Sequence, residues 1–253
     1  MASYPMTVSA RVFVDVPVLC GHRGIGRGAG ENTLPSFRAA VAAGLPWVEV
    51  DARVTADGAL VAYHEAVAPD GRYVSELHSR ETDELGLMRV ADLFEDLPPG
   101  IGVDVDLKTS LEDAQRPREA TTAALVAELV APQADRRPVL VTSFDPAALL
   151  IVREFQPSLP LGLLTWLRFP LRKAIPAAAH LGLQVIAPHV ESFGLRQKAP
   201  RLGEREIADS IRVAHGAGVQ VVGWCPLPSE RGILLAAGVD CLIIDDVGVD
   251  SWV

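Results

Sequence analysis

Two histidines, two basic side chains and a set of acids fall in four short stretches of the first 108 residues: His22-Arg23-Gly24, Glu49-Val50-Asp51, Tyr63-His64-Glu65 and Asp104-Val105-Asp106-Leu107-Lys108. Imidazoles titrate near neutral pH, so His22 and His64 suit a reaction that needs both a base and an acid. In the opening of a phosphodiester, one would deprotonate the attacking oxygen and the other would protonate the departing alkoxide. The sequence does not order these two roles. Arg23 and Lys108 carry the fixed positive charge that clamps non-bridging phosphate oxygens and spreads transition-state charge. Glu49, Asp51 and Asp106 repel one another if they meet, and a cation must relieve that repulsion. Lys108 brings a single charge. One hard divalent cation, Mg²⁺ or Ca²⁺, fits an oxygen-only donor set better, whereas zinc prefers more nitrogen or sulfur. A charge network that braces the mouth of the fold is the plainer alternative.

The elements around these residues decide whether they can meet. Pro17–Gly21 is a short apolar run closed by glycine and reads as a buried strand. A loop from Gly24 to Glu31 with four glycines follows, then a helix whose apolar face is Leu34, Phe37 and Val41 and whose end is Gly44. Asn32 or Thr33 can cap that helix. Trp47–Asp51 is the second strand and Ala59–Tyr63 another extended run, with Thr55-Ala-Asp-Gly58 between them. That gap is too short for a crossover helix, so the two runs form an antiparallel hairpin that carries His64 back toward Glu49 and Asp51.

Beyond the hairpin the pattern alternates. Strands are expected at Gly102–Lys108, Pro138–Thr142, Leu159–Leu164, Leu183–Ala187, Val219–Trp224 and Cys241–Ile244. Helices are expected at Arg89–Leu97, Arg118–Val130, Asp145–Gln156, Leu171–Leu181, Glu204–Ala214 and Ser229–Ala237. Eight strands alternating with helices in 253 residues predict an α/β protein of the closed (β/α)₈ TIM barrel kind with a β-hairpin extension after the second strand. The reading treats 1–253 as one such domain. In this architecture the strand ends converge on one rim, which gathers His22, Arg23, Glu49, Asp51, Asp106, Lys108, Trp224 and Asp245. Alternation turns Val48, Val50, Val103, Val105 and Leu107 toward the helices and the charged set into the barrel.

Composition narrows the classes. Nearly half the residues are hydrophobic, enough for a large core, and the formal charge of -9 argues against a nucleic-acid partner. An acidic chain still binds a small-molecule phosphodiester if the site supplies its own cations. Cys20, Cys225 and Cys241 are odd in number and widely spaced, so no disulfide framework is expected. No apolar run spans a bilayer and residues 1–17 lack a signal-peptide pattern, so the expectation is a cytoplasmic chain without stable membrane insertion. Oligomeric state is not legible. Among other histidines, His78, His180 and His215 read as surface residues, and His189 lies near the rim. Arg27 reads as a solvated loop residue.

The order His-Arg-Gly, Glu-Asn-Thr, Glu-x-Asp, Asp-Gly and His-acid, met here as His22-Arg23-Gly24, Glu31-Asn32-Thr33, Glu49-Val50-Asp51, Asp57-Gly58 and His64-Glu65, resembles the glycerophosphodiester phosphodiesterase family. The likeness runs on more loosely through Thr142-Ser-Phe144, Trp224 and Asp245. It implies His22 and His64 as the acid–base pair, Arg23 and Lys108 on phosphate, and Trp224 as a wall for the alcohol. It also implies Glu49, Asp51 and Asp106 on a metal, and Glu31-Asn32-Thr33 as a supporting turn. The implied reaction is hydrolysis of a glycerophosphodiester to glycerol 3-phosphate and an alcohol. Four elements depart from the pattern. Asp106-Leu107-Lys108 replaces Glu-x-Lys, and Glu65 replaces aspartate. Trp224-Cys-Pro-Leu227 replaces Trp-Thr-Val-Asn, and Ile244 replaces threonine. The last two imply a more apolar pocket, which leaves two alternatives open: lysophospholipase D-like cleavage of lysophospholipids, or a silent barrel that binds a phosphorylated ligand.

Overall fold

The structure, a computed structural model, describes residues 11–25, 30–196 and 205–247. Eight parallel strands form its wall: β1 (Val18–Gly21), β2 (Trp47–Val54), β4 (Gly102–Leu107), β5 (Val139–Ser143), β6 (Leu161–Thr165), β7 (Val185–Pro188), β8 (Gln220–Trp224) and β9 (Cys241–Ile244). Each pairs with the next around the ring, and β1 joins both β9 and β2, so the sheet closes on itself. The ninth strand, β3 (Leu60–Ala62), runs antiparallel to the second half of β2 and forms the expected hairpin arm. The helices around the wall are α1 (Leu34–Ala42), α2 (Ser79–Glu84), α3 (Val90–Asp96), α4 (Thr122–Val130), α5 (Pro146–Phe155), α6 (Leu171–His180), α7 (Ile207–Gly216) and α8 (Pro228–Ala236). The fold is a (β/α)₈ TIM barrel.

Alternation along each strand separates two cores. Val48, Val50, Val103, Val105 and Leu107 belong to the larger one, between wall and helices, with Phe37, Phe94 and Leu149. The smaller one fills the barrel itself with Trp47, Cys20, Leu140, Leu164, Val222 and Ile243. Each such side chain fully buried contributes about 1.5–3 kcal/mol. Trp47 meets the ring of Phe13 at a centroid distance of 4.9 Å and fills the space beside β4. A Cβ at Gly102 would lie 2.2 Å from that indole, which is why β4 begins on glycine.

Helix ends follow local chemistry. Thr33, not Asn32, caps α1, its hydroxyl accepting from the Ser36 N–H. Asp145 caps α5 just before Pro146, its carboxylate accepting from the Ala147 N–H at 2.8 Å. The helix read from Arg118 starts later, because Arg118–Ala120 is a single 3₁₀ turn and Thr121 supplies the cap. The helix read as Glu204–Ala214 is found at Ile207–Gly216, and Glu204 itself lies outside the described residues. A short helix the sequence reading did not contain, α2, is held by Glu81, whose carboxylate accepts from the His78 N–H at 2.8 Å.

Candidate active site

The register of the two acidic strands is the starting point. Glu49 lies beside Asp104 and Asp51 beside Asp106, and all four side chains are buried. Carboxylate oxygens of Glu49, Asp51 and Asp106 all fall within 4.8 Å of one another. Lys108, at the end of β4, turns its ammonium into this set: Nζ lies 3.0 Å from Asp51 Oδ1 and also contacts Asp106. Arg23 Nε lies 3.1 Å from Asp51 Oδ2, and its Nη1 donates to Glu31 Oε1 at 2.9 Å. Both cations meant for phosphate therefore sit on carboxylates here. Asp104, one layer deeper, accepts from the Thr142 hydroxyl at 2.9 Å.

A notch in the wall lets the other residues in. The edge of β2 pairs with β1 only at Trp47 and Val48, and with β3 only from Ala52 onward. Residues 49–51 lie between those two ladders, and the loop after β1 supplies partners for them. The Arg23 N–H donates to Glu49 Oε2 at 2.9 Å. Asn32 meets Asp51 twice: its amide Nδ2 donates to Oδ2 at 2.8 Å, and its Oδ1 accepts from the Asp51 N–H at 3.2 Å. Asn32 takes φ 55° and Arg23 φ 53° to do this, left-handed conformations that asparagine tolerates better than most residues.

His22 follows β1 and is tied across the closure of the barrel. Its Nδ1 lies 2.5 Å from Asp245 Oδ1, and its Nε2 lies 3.9 Å from Glu49 Oε2. An ionised carboxylate only accepts, so Nδ1 carries the proton and Nε2 is left facing the acids. His64 follows β3. Its carbonyl accepts two bonds from Arg53, at 3.0 and 2.6 Å, and its Nδ1 lies 2.7 Å from Glu65 Oε1. The His64 charge favours ionised Asp51 and the His22 charge favours ionised Asp106. Both imidazoles thus act on one acid cluster.

The electrostatics divide the acids. Burial pushes Glu49 well above the usual carboxylate range, with Asp51 and Asp106 adding to it. Burial raises Asp106 as well, though Lys108 opposes it. For Asp51 burial also works upward, but Lys108, Arg23 and the Asn32 amide outweigh it and hold its pKa below the ordinary value. Lys108 loses by burial and gains more from Asp106, Asp51 and Glu49, so its pKa is raised. Asp106 Oδ1 and Asp51 Oδ1 are buried and accept no directed hydrogen bond, Asp51 Oδ1 having only the Lys108 ammonium 3.0 Å away. Two such oxygens in a cluster of three carboxylates, with no nitrogen or sulfur donor among them, fit a hard divalent cation.

Aromatic side chains line one flank. Phe144, just after β5, has its ring centroid 5.4 Å from Lys108 Nζ and stacks on Trp166 at 4.2 Å. Trp224 ends β8, half-buried, with its indole N–H donating to the Ala187 carbonyl at 3.1 Å and its ring edge-on to Phe144 and His189. His189 is partly desolvated, which lowers its pKa, and its Nδ1 accepts from the Glu191 N–H. A cleft of about 380 Å³ runs beside Lys108, lined by Arg53, Tyr73, Leu111 and Glu112. His78, His180 and His215 are exposed as expected, and His215 also pairs with the buried Asp240 at 2.7 Å. Arg27 lies outside the described residues.

The sequence reading gave Asn32 a cap or a place in a supporting turn, and Asp245 a place on the rim, without naming Asp51 or His22 as their partners. The signals for Asp245 were its place directly after the last apolar run and the looser part of the family likeness.

A sequence profile of the glycerophosphoryl diester phosphodiesterase family matches residues 22–249. The chain belongs to this family. A glycerophosphodiester phosphodiesterase of Arabidopsis thaliana is 27% identical over a 232-residue alignment that covers 68% of this chain. The chain spans 62% of the length of that curated relative. Among solved structures, a glycerophosphodiester phosphodiesterase from Thermotoga maritima superposes with a TM-score of 0.71 at 21% identity, covering 91% of this chain and 95% of that one. A phosphodiesterase from Oleispira antarctica, solved in complex with the product sn-glycerol-3-phosphate, gives 0.72 at 21% identity over 90% of this chain and 93% of that one. These family members share the barrel described above. Among the described residues no helix is long and apolar enough to cross a membrane.

Proposed function

We propose that this chain hydrolyses glycerophosphodiesters to glycerol 3-phosphate and an alcohol. The observation that carries the reading is the convergence of three buried carboxylates, Glu49, Asp51 and Asp106, with His22 Nε2 3.9 Å from Glu49 and with Lys108 and Arg23 on Asp51. Family membership and the product held by the Oleispira relative support it. Glu49, Asp51 and Asp106 would hold one Mg²⁺ or Ca²⁺, which when bound supplies Lewis-acid stabilisation of the phosphate oxygens. The chain's own groups do the rest. His22 presents Nε2 to the reacting phosphate while Asp245 fixes its tautomer, and His64 is oriented by Glu65 in the same manner. One of the two takes the proton of the attacking oxygen and the other gives a proton to the leaving alkoxide. Arg23 and Lys108 exchange part of their carboxylate contacts for the phosphate, and Trp224 lines the alcohol. Residues 1–253 act as one barrel domain in this reading.

A second substrate class has its own support. Trp166 is 66% exposed and Leu167 57% exposed, and the former is stacked on Phe144 next to Lys108. An apolar path from the phosphate to the rim suits the acyl chain of a lysophospholipid. Incubation of purified protein with glycerophosphocholine, glycerophosphoethanolamine and lysophosphatidylcholine in Mg²⁺ or Ca²⁺ tests both. Release of glycerol 3-phosphate or lysophosphatidic acid that stops in chelator supports the proposal. No turnover of any phosphodiester, with phosphate ligand still bound, would leave a silent barrel.

A further inference from the structure

Next to the oxygen-only cluster the barrel mouth gathers a second donor set of different chemistry. His22 follows β1, Asp245 follows β9 and Cys225 follows β8, three adjacent strands. Cys225 Sγ lies 3.7 Å from His22 Nδ1 and 4.0 Å from Asp245 Oδ1, and those two atoms are 2.5 Å apart. All three residues are half-buried. Around a tetrahedral zinc ion, with bonds of about 2.3 Å to sulfur and about 2.0–2.2 Å to nitrogen and oxygen, the ligand atoms stand about 3.4–3.6 Å apart. Both separations from sulfur are within about half an ångström of that. The nitrogen–oxygen pair must open by roughly one ångström, as it does when an ion replaces a shared proton. The backbone that carries the thiol is itself held in place. Cys225 takes φ 58°, its N–H donates to the Ile243 carbonyl at 3.0 Å and its carbonyl accepts from Arg196 at 3.3 Å.

We propose that His22, Cys225 and Asp245 form a metal site for a borderline-soft divalent cation, Zn²⁺ in particular, and that its occupation inhibits the enzyme. Three protein ligands and an open fourth position are a common zinc arrangement. In the metal-free chain the thiol is neutral, since burial and Asp245 push its pKa up to about 12. Loading therefore releases the sulfur proton to solvent, while the Nδ1 proton passes to Nε2, one proton lost per ion. With Nδ1 on the metal and Nε2 protonated, His22 can neither accept a proton nor become a cation. The inhibitory half rests on the hydrolytic reading of His22 given above; the site itself does not.

The test uses the intact chain with Co²⁺ as a spectroscopic stand-in, in the presence of Mg²⁺ to fill the carboxylate cluster. A cysteine-ligated cobalt ion gives a near-ultraviolet sulfur-to-metal charge-transfer band. The band is expected in the wild type, is displaced by Zn²⁺, and is absent in both Cys225→Ser and Cys225→Gly. The glycine variant suits the positive φ and guards against misfolding. Loss of an outer-shell partner alone costs about 10–100-fold in metal affinity, so loss of a ligand should raise the zinc concentration for half-inhibition at least about tenfold. Each variant's inhibition is measured against its own zinc-free rate. No band in the wild type, or a band that survives both substitutions and so belongs to Cys20 or Cys241, overturns the site. Unchanged zinc sensitivity in both variants overturns the inhibition. A chain that shows the band but cleaves no phosphodiester supports the site and sinks the hydrolytic reading instead.

Discussion

Replacing Lys108 by methionine removes the ammonium that lies 3.0 Å from Asp51 and in contact with Asp106, while keeping most of the stem's volume. Both carboxylates are buried, and breaking a buried ion pair from one side costs about 3–5 kcal/mol. Arg23 remains 3.1 Å from Asp51, and Glu49 is already biased toward its neutral form, so the loss should fall at the lower end, about 3 kcal/mol. The pH window follows from the shifts. Lys108 has a raised pKa, so its contribution is complete below its unfolded value and vanishes as pH climbs through the folded one. Asp51 has a depressed pKa, so its contribution is present above its unfolded value and vanishes as pH falls through the folded one. The wild type and the variant should therefore differ most near neutrality and converge in acid. A divalent ion at about a hundred times its dissociation constant returns about 2.7 kcal/mol, nearly the whole deficit. Urea unfolding followed by circular dichroism, in chelator and in Mg²⁺ or Ca²⁺, reads both numbers. A loss below about 1 kcal/mol in chelator, the ordinary worth of an exposed pair, or a deficit that the ion leaves untouched, would refute the view of these acids as a strained cation site.

Three other outcomes are expected. His22→Ala and His64→Ala each lower turnover by about 10² or more while calorimetric affinity of the carboxylate cluster for Mg²⁺ or Ca²⁺ stays close to that of the wild type; a near-normal rate removes that residue from the mechanism. Asn32→Ala loses a hydrogen bond to a buried carboxylate, about 1.5–3 kcal/mol, and puts alanine at φ 55°. Asn32→Gly relieves the backbone alone, so a glycine variant as stable as the wild type would show that the amide contributes nothing. Desolvation works to raise the Asp57 pKa, but the hydrogen bonds it accepts from Thr55 and Ser79 together outweigh this and hold it at about 2. Its contribution is present above its unfolded value and is lost as pH falls toward that figure. Asp57→Ala should cost about 1 kcal/mol at neutral pH, after allowance for its partial exposure, and almost nothing near the folded pKa; equal losses at both ends would rule out an ionic origin.

The barrel was readable because its strands are short apolar runs separated by capped helices. The hairpin was readable because the stretch from Thr55 to Gly58 is too short for any crossover. Glu49, Asp51, Asp106 and Lys108 were readable as one set because strand alternation alone turns them inward. What local pattern could not carry were contacts made by closure. His22 and Asp245 meet across 223 positions of sequence, only because β1 pairs with β9. Asn32 stands where a helix cap belongs, and nothing nearby announces that Thr33 takes the cap while Asn32 turns back to Asp51. Nor does the spacing reveal that Arg23 and Lys108 rest on carboxylates, since that depends on the charge balance of the assembled mouth. Cys225 read as a missing polar group, and its neighbours became visible only with the sheet closed.

The interruption in the β2 edge at residues 49–51 has a consequence for change over time. The acids there are anchored to the wall by β4 on one side, yet on the other they depend on a single surface loop for their partners. Remodelling that loop alters which groups face the reacting centre without disturbing a rung of the barrel's ladder. Chemistry at this mouth is therefore free to drift, by insertion or substitution between β1 and α1, provided that Arg23 and Asn32 keep their hold on Glu49 and Asp51.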